Sequence, residues 1–150
     1  MLNSGQARQD SSFIVTLILF LALKTGRNCT ACPYIREVKS LRINGTEWKI
    51  NQSLNCEISN CIYMIECKKD NCNMRYIGET KRILKFRLAD HRGYVNNDDD
   101  TATGEHFNSP GHSLSDLSIT ILEQVKRKDT LYRKERKNIL LENSILSIED

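Results

Sequence analysis

A chain of 150 residues can form one domain with a substantial core and some extensions, but it is too short for two full domains. With 39% hydrophobic and 27% charged residues, it has the composition of an ordinary globular protein, which excludes a wholly disordered chain. The net charge of +3 is too small to indicate a nucleic-acid-binding protein by itself, so that argument depends on motifs.

The N-terminal extension, residues 1–25, contains an apolar run. Residues 13–23 are apolar apart from Thr16. The run is shorter than the roughly 20 residues that a membrane-spanning helix needs, yet its length suits the central part of a secretory signal peptide. Because Ala22-Leu23-Lys24 is a poor cleavage site, a buried strand and a non-native N-terminus are also open.

Residues 26–60 form a lead that carries cysteines and a hairpin signal. Asn44-Gly45 is typical of a tight turn between residues 39–43 and 46–50. We therefore expect a small β-rich knuckle ahead of the main domain.

The six cysteines suit two different chemistries. In an intracellular chain, Cys29, Cys32 and Cys56 would supply three ligands of a zinc site, and Cys61 could supply the fourth. In a secreted chain, all six would instead form three disulfides. The sequence leaves both possibilities open.

Two strand-like segments, residues 61–67 and 74–78, each carry a tyrosine. The residues between them, 68–73, have turn chemistry, so the two segments are predicted to pair as antiparallel strands. A hairpin of this kind places Tyr63 and Tyr76 beside one surface.

A helix is predicted after this hairpin, with Thr80 as its cap. Its apolar contacts would come from Ile83, Leu84, Phe86, Leu88 and Val95. Arg87 and His91 are four residues apart, so their side chains can point the same way from the helix.

Three further elements complete the predicted domain. Residues 101–107 form a short helix that ends at Ser109-Pro110-Gly111, and residues 117–122 alternate as a third strand. Asp129 or Thr130 is predicted to cap a last helix. That helix carries Leu131, Glu135, Ile139 and Leu140.

Several of these side chains suit the hydrolysis of a phosphodiester. The reaction needs a base for the attacking water, a cation for the phosphoryl charge and stabilisation of the leaving oxygen. Tyr63 can act as the base if a cation favours its phenolate, Arg87 can neutralise charge, and Glu135 can bind Mg²⁺. Each of these residues alone more often has a packing or solvent role, so the hypothesis depends on their order and spacing.

The motifs resemble a known family, the GIY-YIG endonucleases. Ile62-Tyr63 stands in the first motif, where Cys61 replaces the glycine, and Tyr76-Ile77-Gly78 matches the second in full. From about Cys56 to Leu140, the chain is most similar to the endonuclease domain of Penelope-like retroelements. The resemblance implies an α+β fold with a small three-stranded antiparallel sheet flanked by helices.

The same resemblance implies a role for each site residue. Tyr63 would be the general base, and Tyr76 would support the water or the phosphate. Arg87 would stabilise the phosphoryl and leaving-group charge, and Glu135 would hold Mg²⁺ or Mn²⁺. His91 matches a helix histidine of the retroelement branch, where it would position the substrate.

Cys67 and Cys72 form one pair with zinc-ligand spacing, and His106 and His112 form another. The retroelement branch is similar in having a cysteine pair between its tyrosine motifs and a histidine pair downstream, which implies a structural zinc ion. Such an ion would tie the hairpin turn to the short helix in a small core.

The sequence thus predicts a metal-dependent DNA endonuclease, a fragment of a retroelement that nicks one strand and leaves a 3′-hydroxyl. We expect it in the nucleus, with DNA and, in an intact element, a reverse transcriptase as partners and no small-molecule substrate. The alternatives are an inactive DNA-binding remnant and a small disulfide-rich protein that is secreted or membrane-associated. The predicted segments are the extension 1–25, the lead 26–60, the endonuclease-like domain 61–142 and a tail 143–150.

Overall fold

The computed structural model describes residues 29–43, 45–126 and 130–143. Within these ranges the elements, in chain order, are β1 (Ser40–Ile43), β2 (Thr46–Lys49), β3 (Cys61–Cys67), β4 (Arg75–Thr80), α1 (Leu84–Asn96), α2 (Ala102–Asn108), β5 (Leu117–Gln124) and α3 (Thr130–Asn143). None of the helices in the described part of the chain has the length and hydropathy to cross a membrane. The apolar run at 13–23 lies outside the described residues.

β3 is the middle strand of a three-stranded antiparallel sheet with the order β4-β3-β5. Every residue of β3 except the partly exposed Glu66 is buried. β5 has a bulge beside the first tyrosine motif, since Ile62 pairs with Glu123 but Tyr63 already pairs with Ile121. This sheet and the flanking helices confirm the fold class that was predicted from the sequence.

The two faces of the sheet carry two different core clusters. Tyr63 and Ile65 belong to the cluster that includes buried residues of α1 and α2. Ile62 and Met64 belong to the opposite cluster, against which Trp48 of β2 and Tyr132 of α3 pack. Because strand side chains alternate between faces, the tyrosine of the first motif faces α1 and α2.

The lead supplies the start of α1, and Thr80 does not. The N–H groups of Leu84 and Lys85 donate to the carbonyl oxygens of Ile58 and Cys56 at 2.8 and 2.9 Å. These bonds satisfy donors that a helix start otherwise leaves unpaired. The predicted cap at Thr80 is wrong because this residue ends β4, where it pairs with Cys61.

Two smaller expectations met different outcomes. The hairpin around Asn44-Gly45 is confirmed, since β1 and β2 pair antiparallel as a separate two-stranded sheet, although Asn44 itself lies outside the described residues. Phe86, which was expected in the core, is 48% exposed. It lies on the solvent side of α1, between the buried positions Leu84 and Leu88.

Candidate active site

Tyr63 lies directly against Gly78 on the neighbouring strand. The two residues pair in the β3–β4 ladder. A Cβ atom on Gly78 would stand 2.3 Å from Cζ of Tyr63 and 2.4 Å from its hydroxyl oxygen. No side chain tolerates such contacts, so glycine is the residue that lets the phenol ring cross β4 at this point.

The hydroxyl of Tyr63 contacts two side chains of α1. Arg87 donates from Nε to the Tyr63 oxygen over 3.0 Å, and Nε2 of His91 lies 2.8 Å from the same oxygen. Arg87 and His91 are about one helical turn apart, so α1 presents both side chains to β3. The structure therefore brings three of the sequence-predicted site residues into one hydrogen-bonded cluster.

The protons of this cluster have one consistent arrangement. A guanidinium only donates and Tyr63 is fully buried, so the phenolic O–H donates to Nε2 of His91. The single proton of a neutral imidazole then sits on Nδ1, which lies 3.2 Å from Oγ1 of Thr103.

Two pKa shifts fit this arrangement. Burial, together with the charge of Arg87, lowers the pKa of His91 to about 4, so the imidazole is neutral at neutral pH. Burial also raises the pKa of Tyr63 above its usual value, although the hydrogen bond from Arg87 acts in the opposite direction. The phenol is therefore protonated at rest.

Three tyrosine rings surround His91. The ring centroids of Tyr63, Tyr76 and Tyr94 each lie 5.7 Å from that of the imidazole, all in edge-to-face geometry. Tyr76 thus joins the cluster through its ring. Tyr94, which sequence reasoning missed, accepts a hydrogen bond from Nη1 of Arg87 at 3.3 Å. Its position three residues after His91 and seven after Arg87 is the helical signal that could have identified it.

Asp90 is the carboxylate that the structure places beside Arg87. Its Oδ2 lies 3.6 Å from Nη1 of Arg87 and accepts a hydrogen bond from Nη1 of Arg82 at 2.8 Å. The Arg87 side chain is 25% exposed, whereas Tyr63 is fully covered. The guanidinium is therefore the part of the cluster that an incoming phosphate would meet first.

Glu135 is not part of this cluster. Its side chain is exposed on α3, and it forms no hydrogen bond or ion pair with another residue of the described ranges. The buried side of α3 is instead marked by Arg133, which is 1% exposed and lies 3.3 Å from Glu79 of β4. Side chains two positions apart on a helix point about 200° apart, so the burial of Arg133 turns Glu135 to solvent. The predicted meeting of Glu135 with Tyr63 and Arg87 is therefore not seen.

A second group lies at the turn between β3 and β4. The candidate ligand atoms of Cys67, Cys72, His106 and His112 all lie within 4.8 Å of one another. Sγ of Cys72 is 3.5 Å from Nε2 of His106. Burial and the neighbouring His112 lower the pKa of His106, which favours the neutral imidazole that a metal binds. Two thiols and two imidazoles form a donor set that suits zinc.

Cys29, Cys32 and Cys56 form a third group in the lead. Sγ of Cys56 lies 3.4 Å from that of Cys29 and 3.6 Å from that of Cys32. Cys61, the expected fourth ligand, is absent from this group because it is fully buried in β3. All six cysteines are free, so the structure contains none of the disulfides that a secreted chain would need.

Comparison with known proteins agrees with the geometry of the tyrosine cluster. The family model of the GIY-YIG catalytic domain matches residues 59–146, which is more than half of the chain. The match includes both tyrosine motifs, α1 and α2, and it therefore contains the whole cluster around Tyr63. No curated protein and no solved structure was found to match the chain.

Proposed function

Because the chain belongs to the GIY-YIG nuclease family, we propose that it is an endonuclease that cuts one strand of DNA by hydrolysis. The observation that carries the proposal is the cluster in which Tyr63, packed on Gly78, is bonded to Arg87 and His91. It places a proton acceptor on one side of the phenol and a cation on the other. These are the groups that activate a water and neutralise the charge of a phosphate under attack.

Tyr63 would act as a base by passing a proton on. As the attacking water gives a proton to the Tyr63 oxygen, the phenol gives its own proton to Nε2 of His91. This exchange avoids a free phenolate, which the raised pKa of Tyr63 disfavours. The water oxygen forms the new bond to phosphorus, and the bond from phosphorus to the 3′ oxygen breaks. That oxygen takes a proton from solvent and becomes a 3′-hydroxyl.

Arg87 would control access to the phenol. In the free protein its Nε occupies one lone pair of the Tyr63 oxygen, and its Nη1 reaches Tyr94 and Asp90. Phosphate oxygens are strong acceptors for a guanidinium, so a bound strand would draw Arg87 towards the phosphate. That movement frees a lone pair of Tyr63 for the attacking water. Tyr76 would contact the water or the phosphate through its hydroxyl.

Nucleases of this family generally use a divalent metal, and we propose Glu135 as its ligand. Glu135 is exposed and has no ion-pair partner among the described residues, whereas Asp90 is already held by two arginines. One carboxylate with waters and a substrate phosphate is an ordinary Mg²⁺ site. When bound, Mg²⁺ or Mn²⁺ would neutralise charge on the phosphate and on the leaving oxygen.

Nicking of a supercoiled plasmid in Mg²⁺ tests this proposal. We expect Arg87→Ala to lower the rate by about 100-fold or more, because it removes the cation that stabilises developing charge. Arg36→Ala is the matched control, since Arg36 is an exposed arginine paired with Glu66 outside the cluster. Glu135→Gln should raise the Mg²⁺ concentration that gives the half-maximal rate.

Two results would contradict the nuclease proposal. One is nicking that Arg87→Ala leaves unchanged, which would point to a contaminating nuclease. The other is a full chain that binds DNA but never nicks it, which would favour the inactive DNA-binding remnant.

We also propose that the domain derives from a Penelope-like retroelement and acts in the nucleus. The support is the similarity of its motifs and the convergence of the Cys67, Cys72, His106 and His112 side chains. In an intact element, the 3′-hydroxyl of the nick could prime a reverse transcriptase. Extension of the nicked strand by a polymerase, without prior end treatment, would support this; a blocked 3′ end would exclude it.

We propose zinc as the ion for both cysteine groups, with a structural role. We expect two zinc ions per purified chain and one in Cys72→Ala or in Cys29→Ala. Cys61→Ala is the control, because this buried thiol belongs to neither group. Cys72→Ala should also lower the unfolding temperature, because the ion would hold the β3–β4 turn against α2. Zinc-free protein with blocked thiols would instead favour the disulfide-rich alternative.

A further inference from the structure

We propose that Thr103 is a positioning residue for the nuclease reaction, because it fixes the tautomer of His91 that can accept the proton of Tyr63. The inference rests on the proposed function and adds to it a residue outside both tyrosine motifs and outside α1. The evidence is a chain of contacts that begins at β3, crosses α1 and ends on α2.

The first step is the bond at the far side of the imidazole. Oγ1 of Thr103 lies 3.2 Å from Nδ1 of His91, and both side chains are buried, at 2% exposure each. No other hydrogen-bond partner of Nδ1 occurs in the part of the chain that the structure describes. The hydroxyl of Thr103 therefore accepts the Nδ1 proton, which leaves Nε2 with a free lone pair towards Tyr63.

The second step is what the other tautomer would do. If the imidazole proton moved to Nε2, this group and Nε of Arg87 would both donate to the Tyr63 oxygen. The phenolic proton would then have no acceptor in a fully buried place, and the relay from Tyr63 to His91 would be blocked. A ring nitrogen is selected in this way by the bond that the other nitrogen makes.

The third step is how Thr103 comes within reach. α2 packs very close to the end of α1, since a Cβ atom on Gly104 would stand 2.1 Å from the carbonyl oxygen of Asp99. Asn108 fixes the other end of α2 by donating to the carbonyl oxygen of Val95 at 2.8 Å. These contacts place α2 without the hydroxyl at position 103, so that hydroxyl can be removed while the packing stays.

Substitution at this position separates the hydrogen bond from packing. Thr103→Val keeps the shape but removes the acceptor, and we expect kcat for nicking to fall about tenfold with KM unchanged, because an unpaired buried N–H is costly. Thr103→Ser keeps a hydroxyl and should restore most of the rate. If Thr103→Val nicks like the wild type, or if Thr103→Ser is as slow as Thr103→Val, the positioning role is excluded.

An NMR measurement tests the tautomer without any need for activity. In the full chain with ¹⁵N-labelled histidine, we expect His91 to carry its proton on Nδ1 at neutral pH. In Thr103→Val, the Nε2-protonated form should gain population. Nε2 protonation in the unmodified chain would overturn the inference even if the nuclease is active. A chain that shows the expected tautomer but does not nick would instead count against the proposed function.

Discussion

We expect Tyr63→Phe to lower the single-turnover nicking rate by at least about 100-fold, the usual contribution of a positioned base. The change removes one oxygen and leaves the ring, which still fits across Gly78. Without that oxygen the attacking water has no acceptor next to His91, and the proton relay ends. DNA binding should change little, because Tyr63 is fully covered in the free protein and Arg87 is kept.

The fold should survive this change. His91 loses a donor at Nε2 and Arg87 loses an acceptor at Nε, so urea unfolding should show a loss on the order of 1–3 kcal/mol. Tyr34→Phe is the matched control, since Tyr34 lies in the lead with its ring beside Arg92. Nicking by Tyr63→Phe at the rate of Tyr34→Phe would remove Tyr63 from the mechanism and with it the proposed relay.

The contacts within single elements and between paired strands could be predicted from the sequence. The segment with Tyr63 and the segment with Tyr76 were recognised as paired strands, because apolar residues and turn residues alternate in the expected way. Arg87 and His91 were placed on one side of a helix by their spacing of four residues. The cysteine and histidine pairs were recognised because ligand spacing is itself a local pattern.

The orientation of α3 could not be predicted in this way. Sequence reasoning assigns charged residues to the solvent, and it treated the basic run around Glu135 as an exposed face with one functional acid. The structure buries Arg133 of that run against Glu79, and this ion pair decides which side of α3 meets the sheet. A buried arginine is costly unless it is paired, and its partner lies 54 positions away in the numbering, so no local pattern shows it.

Thr103 was missed for a related reason. Its helix was predicted, but its hydroxyl acquires a role only because α2 approaches α1 closely enough for a bond to His91. That approach depends on Gly104, whose small size matters through contact with a backbone oxygen of the preceding loop. Contacts of this kind depend on tertiary packing, which the order of residues in one segment does not reveal.

The second large effect is expected for Gly78→Ala. The added Cβ would stand 2.3 Å from Cζ of Tyr63, so the phenol must leave its position over β4. Both of its hydrogen bonds, to Arg87 and to His91, would then break. We expect nicking to fall as far as in Tyr63→Phe and the free energy of unfolding to fall by about 1–3 kcal/mol, which is typical of an overpacked core.

Gly93→Ala provides a sharp control for this prediction. Gly93 lies in α1, near the same cluster, but a Cβ atom there would meet nothing within 4 Å. Alanine in a helix is more favourable than glycine by roughly 0.5–1 kcal/mol, so this variant should be slightly more stable and should nick normally. If Gly78→Ala is as stable and as active as Gly93→Ala, then the phenol can move without loss of function. The close packing of Tyr63 on β4 would in that case not determine the position of the base.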